Sequence, residues 1–352
     1  MFKSESAFPV LIFVSLATLC ACGGQGDSGA VDKFSYPVRD SKFNSATQHY
    51  GPLVVKAGDF SAQAHNGFMA DHLPWTGYWL PDWDTSLFQG TNGNPSPLEK
   101  YDAYMKAAHG QVTHAADTEA NRIDRNFVAP ADGHCDSWAL ASIVTPEPTQ
   151  GVDMYGIHFS VGDLKALIVD SYENYSALQV YGQKYVDSSS DPLDIYPDQY
   201  QRVLQAEIFD KGQPVIMDKD PLEEVWNTPI YKAEFQMVAD PSDSHTMHVT
   251  AYISTVSAVK ENAFANNPDY VGSVTVDYIY TYDLFGTKQA DGSFLVKSGS
   301  WTGDSVTDHP DFVSVFTDQL QNLGETATNH SSLNSEVSNE IVQEILSAAQ
   351  DQ

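Results

Sequence analysis

The chain is expected to be an α+β protein, with helices concentrated in its first two-thirds and antiparallel strands after Pro214. Three observations carry that expectation. Segments with apolar residues three and four apart recur up to about residue 209. Alternating and β-branched or aromatic runs dominate from Pro214 to Lys297. Runs of helices followed by runs of strands, without strict alternation, belong to α+β architectures rather than doubly wound sheets.

The first 22 residues are read as an export signal rather than as structure. Lys3 provides a short charged start, and Phe8 to Leu19 is an apolar run too short for a comfortable membrane span. The run ends Leu19-Cys20-Ala21-Cys22-Gly23-Gly24. A Leu three residues before a Cys, with Ala directly before it, is similar to a bacterial lipoprotein processing box, so Cys22 is the expected lipidation site. The expected location is the cell envelope, with the lipid anchor making the contact to the membrane. Residues 23 to 70 are expected to form a tether, Gly23 to Gly29, and an N-terminal segment over 30 to 70 that is either a linker or a cover for the active site.

Helix signals follow in order. Ser96-Pro97-Leu98-Glu99 combines a cap, a proline at the first turn and a capping-box Glu, opening a helix to about Ala108. Cys135 opens a second helix, CDSWALASIV, which Pro146 must end. Val161 to Tyr172 and Gln199 to Phe209 show helical spacing, and Glu336 to Ala349 is an amphipathic helix near the end of the chain. Strands are expected at Pro214–Met217, Val225–Val238, His248–Val259, Gly272–Leu284 and Ser293–Lys297. A catalytic domain over residues 71 to 318, followed by a tail over 319 to 352, is the organisation this pattern suggests.

With 47 acidic residues against 18 basic ones, the formal net charge is −29. Removing residues 1 to 21 takes away only Lys3 and Glu5, so the balance is unchanged. A surface this acidic repels phosphate backbones, and no nucleic-acid partner is expected.

Cysteine usage points to chemistry. Cys20 and Cys22 belong to the export signal, which leaves Cys135 as the one thiol of the remaining chain. In an oxidising compartment a lone thiol is a liability unless it has a task. Gly133-His134-Cys135-Asp136-Ser137-Trp138-Ala139 sets it at a helix start. There the helix dipole and free N–H groups favour a thiolate and can hold an oxyanion. The Cys-x-x-Trp-Ala order is similar to the nucleophile segment of papain-like enzymes.

Such a site needs a His and then an Asp or Asn later in the chain. His248 opens a strand, and a symmetric hairpin around Asn262 to Tyr270 places it opposite Asp283, within hydrogen-bond reach. His309, in Asp308-His309-Pro310-Asp311, is the alternative base. His134 adjoins the nucleophile too closely on the chain, and His245 sits in a polar loop. The histidines lack paired ligand spacing, and no metal site is expected from them.

These pieces resemble the transglutaminase-elicitor family, known best from secreted oomycete cell-wall proteins. The resemblance runs from Pro74 to Phe312. PWTGYW (74 to 79), SPLEKY (96 to 101), GHCDSWALAS (133 to 142) and VGDLKAL (161 to 167) come first. IMDKDPLEEVWNTP (216 to 229), YTYDL (280 to 284), and GSW with HPDF follow. Val225-Trp226-Asn227-Thr228-Pro229 looks like the start of the family's elicitor peptide, although Lys232 is the one basic residue left in that stretch.

The resemblance implies a papain-like, cysteine-protease-like architecture and a Ca²⁺-stimulated transglutaminase. Such an enzyme transfers the acyl group of a protein glutamine carboxamide to a primary amine, with a Cys-His-Asp site. Cys135 matches the family motif directly, whereas His248 and Asp283 rest on strand position, and Asp136-Ser137 depart from the family's usual His-Gly. A cysteine peptidase or amidase with the same nucleophile, and a non-catalytic surface binding protein, are the alternatives. An aromatic-lined channel at Cys135 would favour the transglutaminase, and a buried, unreactive thiol the binding protein.

Overall fold

Every strand pairing in the main sheet is antiparallel, and its residues alternate between two faces that bury different helices. This computed structural model describes residues 34–36, 44–64, 72–91, 93–122, 129, 132–173, 178–183, 194–219, 224–259, 267–316 and 333–350. The chain divides into two units, Met1–Ser35 and Tyr36–Gln352. In the first only residues 34 and 35 are described, so Cys20, Cys22 and the export signal lie outside the described residues.

Eleven strands are described. β1 (Val54–Val55), β2 (Gly58–Gln63), β5 (Leu178–Gly182), β6 (Val215–Asp218), β7 (Asn227–Ala239), β8 (Thr246–Val256), β9 (Thr275–Lys288), β10 (Phe294–Trp301) and β11 (Phe312–Phe316) make the main sheet. Their order is β1-β10-β9-β8-β7-β6-β11-β5, with β2 also paired to β7. β3 (Val152–Met154) and β4 (Ile157–Phe159) form a separate hairpin. The β8–β9 register places His248 opposite Asp283 and Val256 opposite Thr275, as the symmetric hairpin requires.

The helices are α1 (Ser45–Tyr50), α2 (Pro97–Tyr104), α3 (Ala115–Arg122), α4 (Cys135–Val144), α5 (Val161–Ser171), α6 (Pro197–Leu204) and α7 (Asn339–Gln350). Ser96 and Glu99 close the capping box that opens α2, and Ser160 with Asp163 does the same for α5. Each such box satisfies two orphan N–H groups and stabilises its helix by about 1 kcal/mol. Both α2 and α6 run on into a π-helical turn, at Met105–His109 and Gln205–Asp210.

One sheet face, carrying Val215, Met217, Ala233, Phe235, Ala251 and Tyr282, packs against α1 and α6. On the other side, Ile216, Val256 and Phe316 join a core built by α2, α4, α5 and α7. Residues 23–70 and 319–352 were expected to lie outside the main domain, but their described parts are built into it. β2 pairs with β7 over six residues, β1 pairs with β10, and Val342, Ile345 and Leu346 of α7 bury in the α4–α5 core. Short polar segments with weak periodicity become strands here because a neighbouring strand supplies their hydrogen bonds. Among the described residues, no helix is long and apolar enough to cross a membrane.

Candidate active site

Cys135 is the first residue of α4, and the turn before it depends on glycine. A Cβ on Gly133 would stand 2.8 Å from Pro81 Cα and from the Trp79 ring. A Cβ on Gly77 would stand 2.8 Å from Trp138 Cδ1 and 2.7 Å from Trp75. Any other residue at either position would push the aromatic segment off α4. The His134 N–H donates to the Trp79 carbonyl at 2.9 Å, which fixes the turn to that segment.

The thiol is 7% exposed and opens onto a cavity of about 210 Å³. Trp79, Trp138 and Trp226 line it with Asn227, Thr255, Ser257 and Tyr278. Trp79 and Trp226 meet edge to face, with centroids 5.2 Å apart. Lys219 also lines the cavity, its Nζ lying 5.7 Å from the Trp226 ring centroid. A space of this size, below the ~300–1,000 Å³ of drug-sized pockets, suits one side chain rather than a large cofactor.

Asn227 is a polar partner of the thiol. Its Nδ2–H donates to Sγ at 3.6 Å, and its backbone N–H also acts on the sulfur. The thiol itself donates to the Val225 carbonyl at 3.6 Å. Burial, with Asp136 and Asp218 adding to it, pushes Cys135 up to about 11, against the pull of Asn227. The resting thiol is therefore protonated at neutral pH.

The structure does not bring the expected His–Asp pair to this thiol. His248 and Asp283 do meet: Asp283 Oδ1 lies 2.7 Å from His248 Nδ1, and Asp240 Oδ2 lies 3.1 Å from Nε2. The imidazole is half-exposed, and its pKa is raised first by the hydrogen bond to Asp283. The pair sits at the start of β8, however, whereas the Cys135 cavity is lined by Thr255 at its end. Seven residues of strand separate them, roughly 23 Å. Sequence reasoning had the pairing of the two strands but not the end against which the nucleophile helix packs.

The alternative base, His309, is at the correct end of the sheet. It precedes β11, whose start lies beside Asp218 because Val313 pairs with Met217. His309 Nε2 lies 3.0 Å from Asp194 Oδ2, and its ring stacks on Trp301 at 5.0 Å. Trp301 in turn meets Tyr280, which stacks on the cavity residue Tyr278. His309 is thus three ring contacts from the wall, and no histidine lines the cavity among the described residues.

A second cluster lies behind the nucleophile turn, and sequence reasoning missed it because its members come from separate elements. Glu119 of α3, Asp170 of α5 and Glu173 just past α5 bring carboxylate oxygens within 4.8 Å of one another. Arg122 Nη2 lies 2.8 Å from Glu119 and 2.6 Å from Glu173. His134 is held neutral by burial, its pKa pushed down to about 4, and burial lifts Glu173 to about 8. Oxygen donors of this kind suit a hard divalent cation.

Asn227 also escaped sequence reasoning as a site residue. Its available signal was position, a polar residue directly after Trp226 at the start of a strand.

Comparison with known proteins agrees with the resemblance read from the sequence. The sequence model for the transglutaminase elicitor family matches residues 126–255, which include Cys135, Asn227, β6, β7 and all but the last residue of β8. Among curated proteins, none matches the chain. The crystal structure of the GP42 transglutaminase from Phytophthora sojae is similar in fold, with a TM-score of 0.65 at 17% identity. The match covers 90% of this chain and 100% of that one. At that identity the likeness shows the fold, a mixture of helices and antiparallel sheet. The resemblance to the transglutaminase-elicitor family therefore holds, in sequence over residues 126–255 and in fold over most of the chain.

Proposed function

We propose that this chain is a transglutaminase-type acyl transferase with Cys135 as its nucleophile, in a papain-like arrangement of a helix N-terminus against a sheet. One observation carries the reading: the thiol opens a helix inside a cavity walled by three tryptophans, with both amide donors of Asn227 directed at its sulfur. The Cys135 thiolate would attack the carboxamide carbon of a glutamine side chain. The C–N bond then breaks, and ammonia leaves carrying the proton given up by the thiol. The N–H groups of Asn227 and of the α4 start supply positive dipole to the sulfur and to the developing oxyanion. A primary amine attacks the resulting thioester, forms the amide and restores the thiol. Indole walls that exclude water favour the amine over hydrolysis.

The donor would be a protein or peptide glutamine and the acceptor a primary amine, on the outer side of an envelope to which acylated Cys22 anchors the chain. The test is to incubate a glutamine-containing protein with a labelled amine. Amine incorporation with ammonia release, abolished by Cys135→Ala, supports transfer. New peptide N-termini without incorporation would make the chain a peptidase.

A second reading, a binding protein that retains the fold without catalysis, is favoured by the protonated thiol and the distance to His248 and His309. Absence of every activity, with Cys135 inert to alkylation in folded protein, would establish it.

A further inference from the structure

We infer that Lys219 is an acyl acceptor within the chain itself, its Nζ taking the glutamine-derived acyl group from Cys135 and keeping it as an isopeptide. This rests on the transferase reading above and names a modification site at the same cavity.

Position is the first argument. Lys219 directly follows β6, whose last residue, Asp218, pairs with Asn227 of β7. Its own N–H donates to the Trp226 carbonyl at 3.4 Å. The Cys135 thiol engages the same short segment, donating to the Val225 carbonyl and accepting from Asn227, each at 3.6 Å. Thiol and lysine therefore flank residues 225–227, and both line the cavity of about 210 Å³. A space this small keeps an acyl group on the sulfur within reach of a flexible four-carbon side chain on its wall.

The chemistry of the wall is the second argument. Lys219 carries the one amine among the residues that line the cavity. The hydroxyls of Thr228, Thr255 and Ser257 donate to the carbonyls of Val256, Val276 and Ala258 at 2.8, 3.1 and 2.9 Å, so each is tied to backbone. Lys100, Lys165, Lys211 and Lys232 each pair with a carboxylate, whereas Lys219, among the described residues, has no such ion pair. It is half-buried and rests over the Trp226 ring, a contact weak enough to exchange.

The transfer is the last half of the proposed reaction with an internal amine. Nζ bonds to the thioester carbonyl carbon, the C–S bond breaks, and an amine proton passes to the thiolate, which restores the thiol. With both groups on one cavity the step is intramolecular, which lets it compete with free amine.

The test mixes the full chain with an N-acetylated, lysine-free glutamine peptide at about pH 8.5, without added amine. Samples are treated with neutral hydroxylamine, which cleaves thioesters and spares amides, and are mapped by mass spectrometry. Early samples should carry a labile adduct on Cys135. Later ones should carry a resistant adduct on Lys219, one per chain, with the mass of the peptide less one ammonia. Its rate per chain should hold over about tenfold dilution of the protein, as an intramolecular step requires. Lys219→Arg should lose the resistant adduct, Cys135→Ala should lose both, and Lys232→Arg should keep both. The site is mapped in the parent chain, so the inference does not depend on the folding of any variant. Cys135 acylation that discharges to water or to added amine while Lys219 stays unmodified would overturn the inference and leave the transferase reading standing. A rate that falls about tenfold on that dilution would overturn it too, by showing transfer between chains. No adduct on Cys135 or Lys219 in folded protein would remove the transferase reading and this inference with it.

Discussion

Alkylation of Cys135 should rise about tenfold per pH unit between roughly pH 7 and 10, and level off only near its pKa. The thiol is held up to about 11 by burial first and by Asp136 second, while Asn227 pulls the other way. At pH 8 the thiolate is then on the order of one part in a thousand. Asn227→Ala removes the 3.6 Å donor to sulfur. Hydrogen bonds to a charged group contribute about 1.5–3 kcal/mol, and at this length the low end applies. With about 1.4 kcal/mol per factor of ten, the variant should react about tenfold more slowly at pH 8. Its rate on the alkaline plateau should match the parent's, because ionisation no longer limits it there. The assay is iodoacetamide labelling of a Cys20→Ser/Cys22→Ser background, followed by mass spectrometry of the Cys135 peptide. A rate already level from pH 6 upward, and lost in His248→Ala, would refute this reasoning. It would mean that an imidazole reaches the thiol and holds it as thiolate.

Other outcomes follow from the same geometry. Trp226→Ala removes one of two indoles meeting at the cavity, so ammonia release without amine incorporation should rise severalfold; an unchanged ratio would mean that Trp226 serves only as an anchor. His248 has its pKa raised by Asp283 and then by Asp240, so its stabilising contribution is full below about 6.5 and is lost as pH rises through the folded value. His248→Gln should therefore lower the urea midpoint at pH 5.5 more than at pH 8.5, and an equal loss at both would remove the ionic origin. Cys22→Ser should shift the protein out of the membrane fraction, while Cys20→Ser leaves it there; the opposite pattern would end the anchor proposal.

The elements of the fold were legible where local chemistry decides them. Ser96, Pro97 and Glu99 announced α2, and Cys135 to Val144 read as a helix because Pro146 had to end it. The β8–β9 register followed from turn symmetry alone, down to His248 opposite Asp283. Long-range packing was not legible. Pairing two strands says nothing about which of their ends receives α4, and the helix packs by Asn227 and Thr255, away from His248. No strand was expected at Phe312–Phe316, a five-residue segment that is buried throughout and so lacks an exposed face to mark it. Glu119, Asp170 and Glu173 are 51 and 3 residues apart on the chain. Only the approach of α3 side chains to the end of α5 makes them one cluster.

The central claim is that Cys135 carries an acyl group, and intact-protein mass spectrometry tests it most directly. Folded protein mixed with a glutamine-containing peptide and stopped in acid should gain the mass of the peptide less one ammonia, on Cys135. The adduct should disappear on adding a primary amine and be absent from Cys135→Ala. An unmodified Cys135 at every pH up to its own pKa, in protein shown to be folded, would contradict the account.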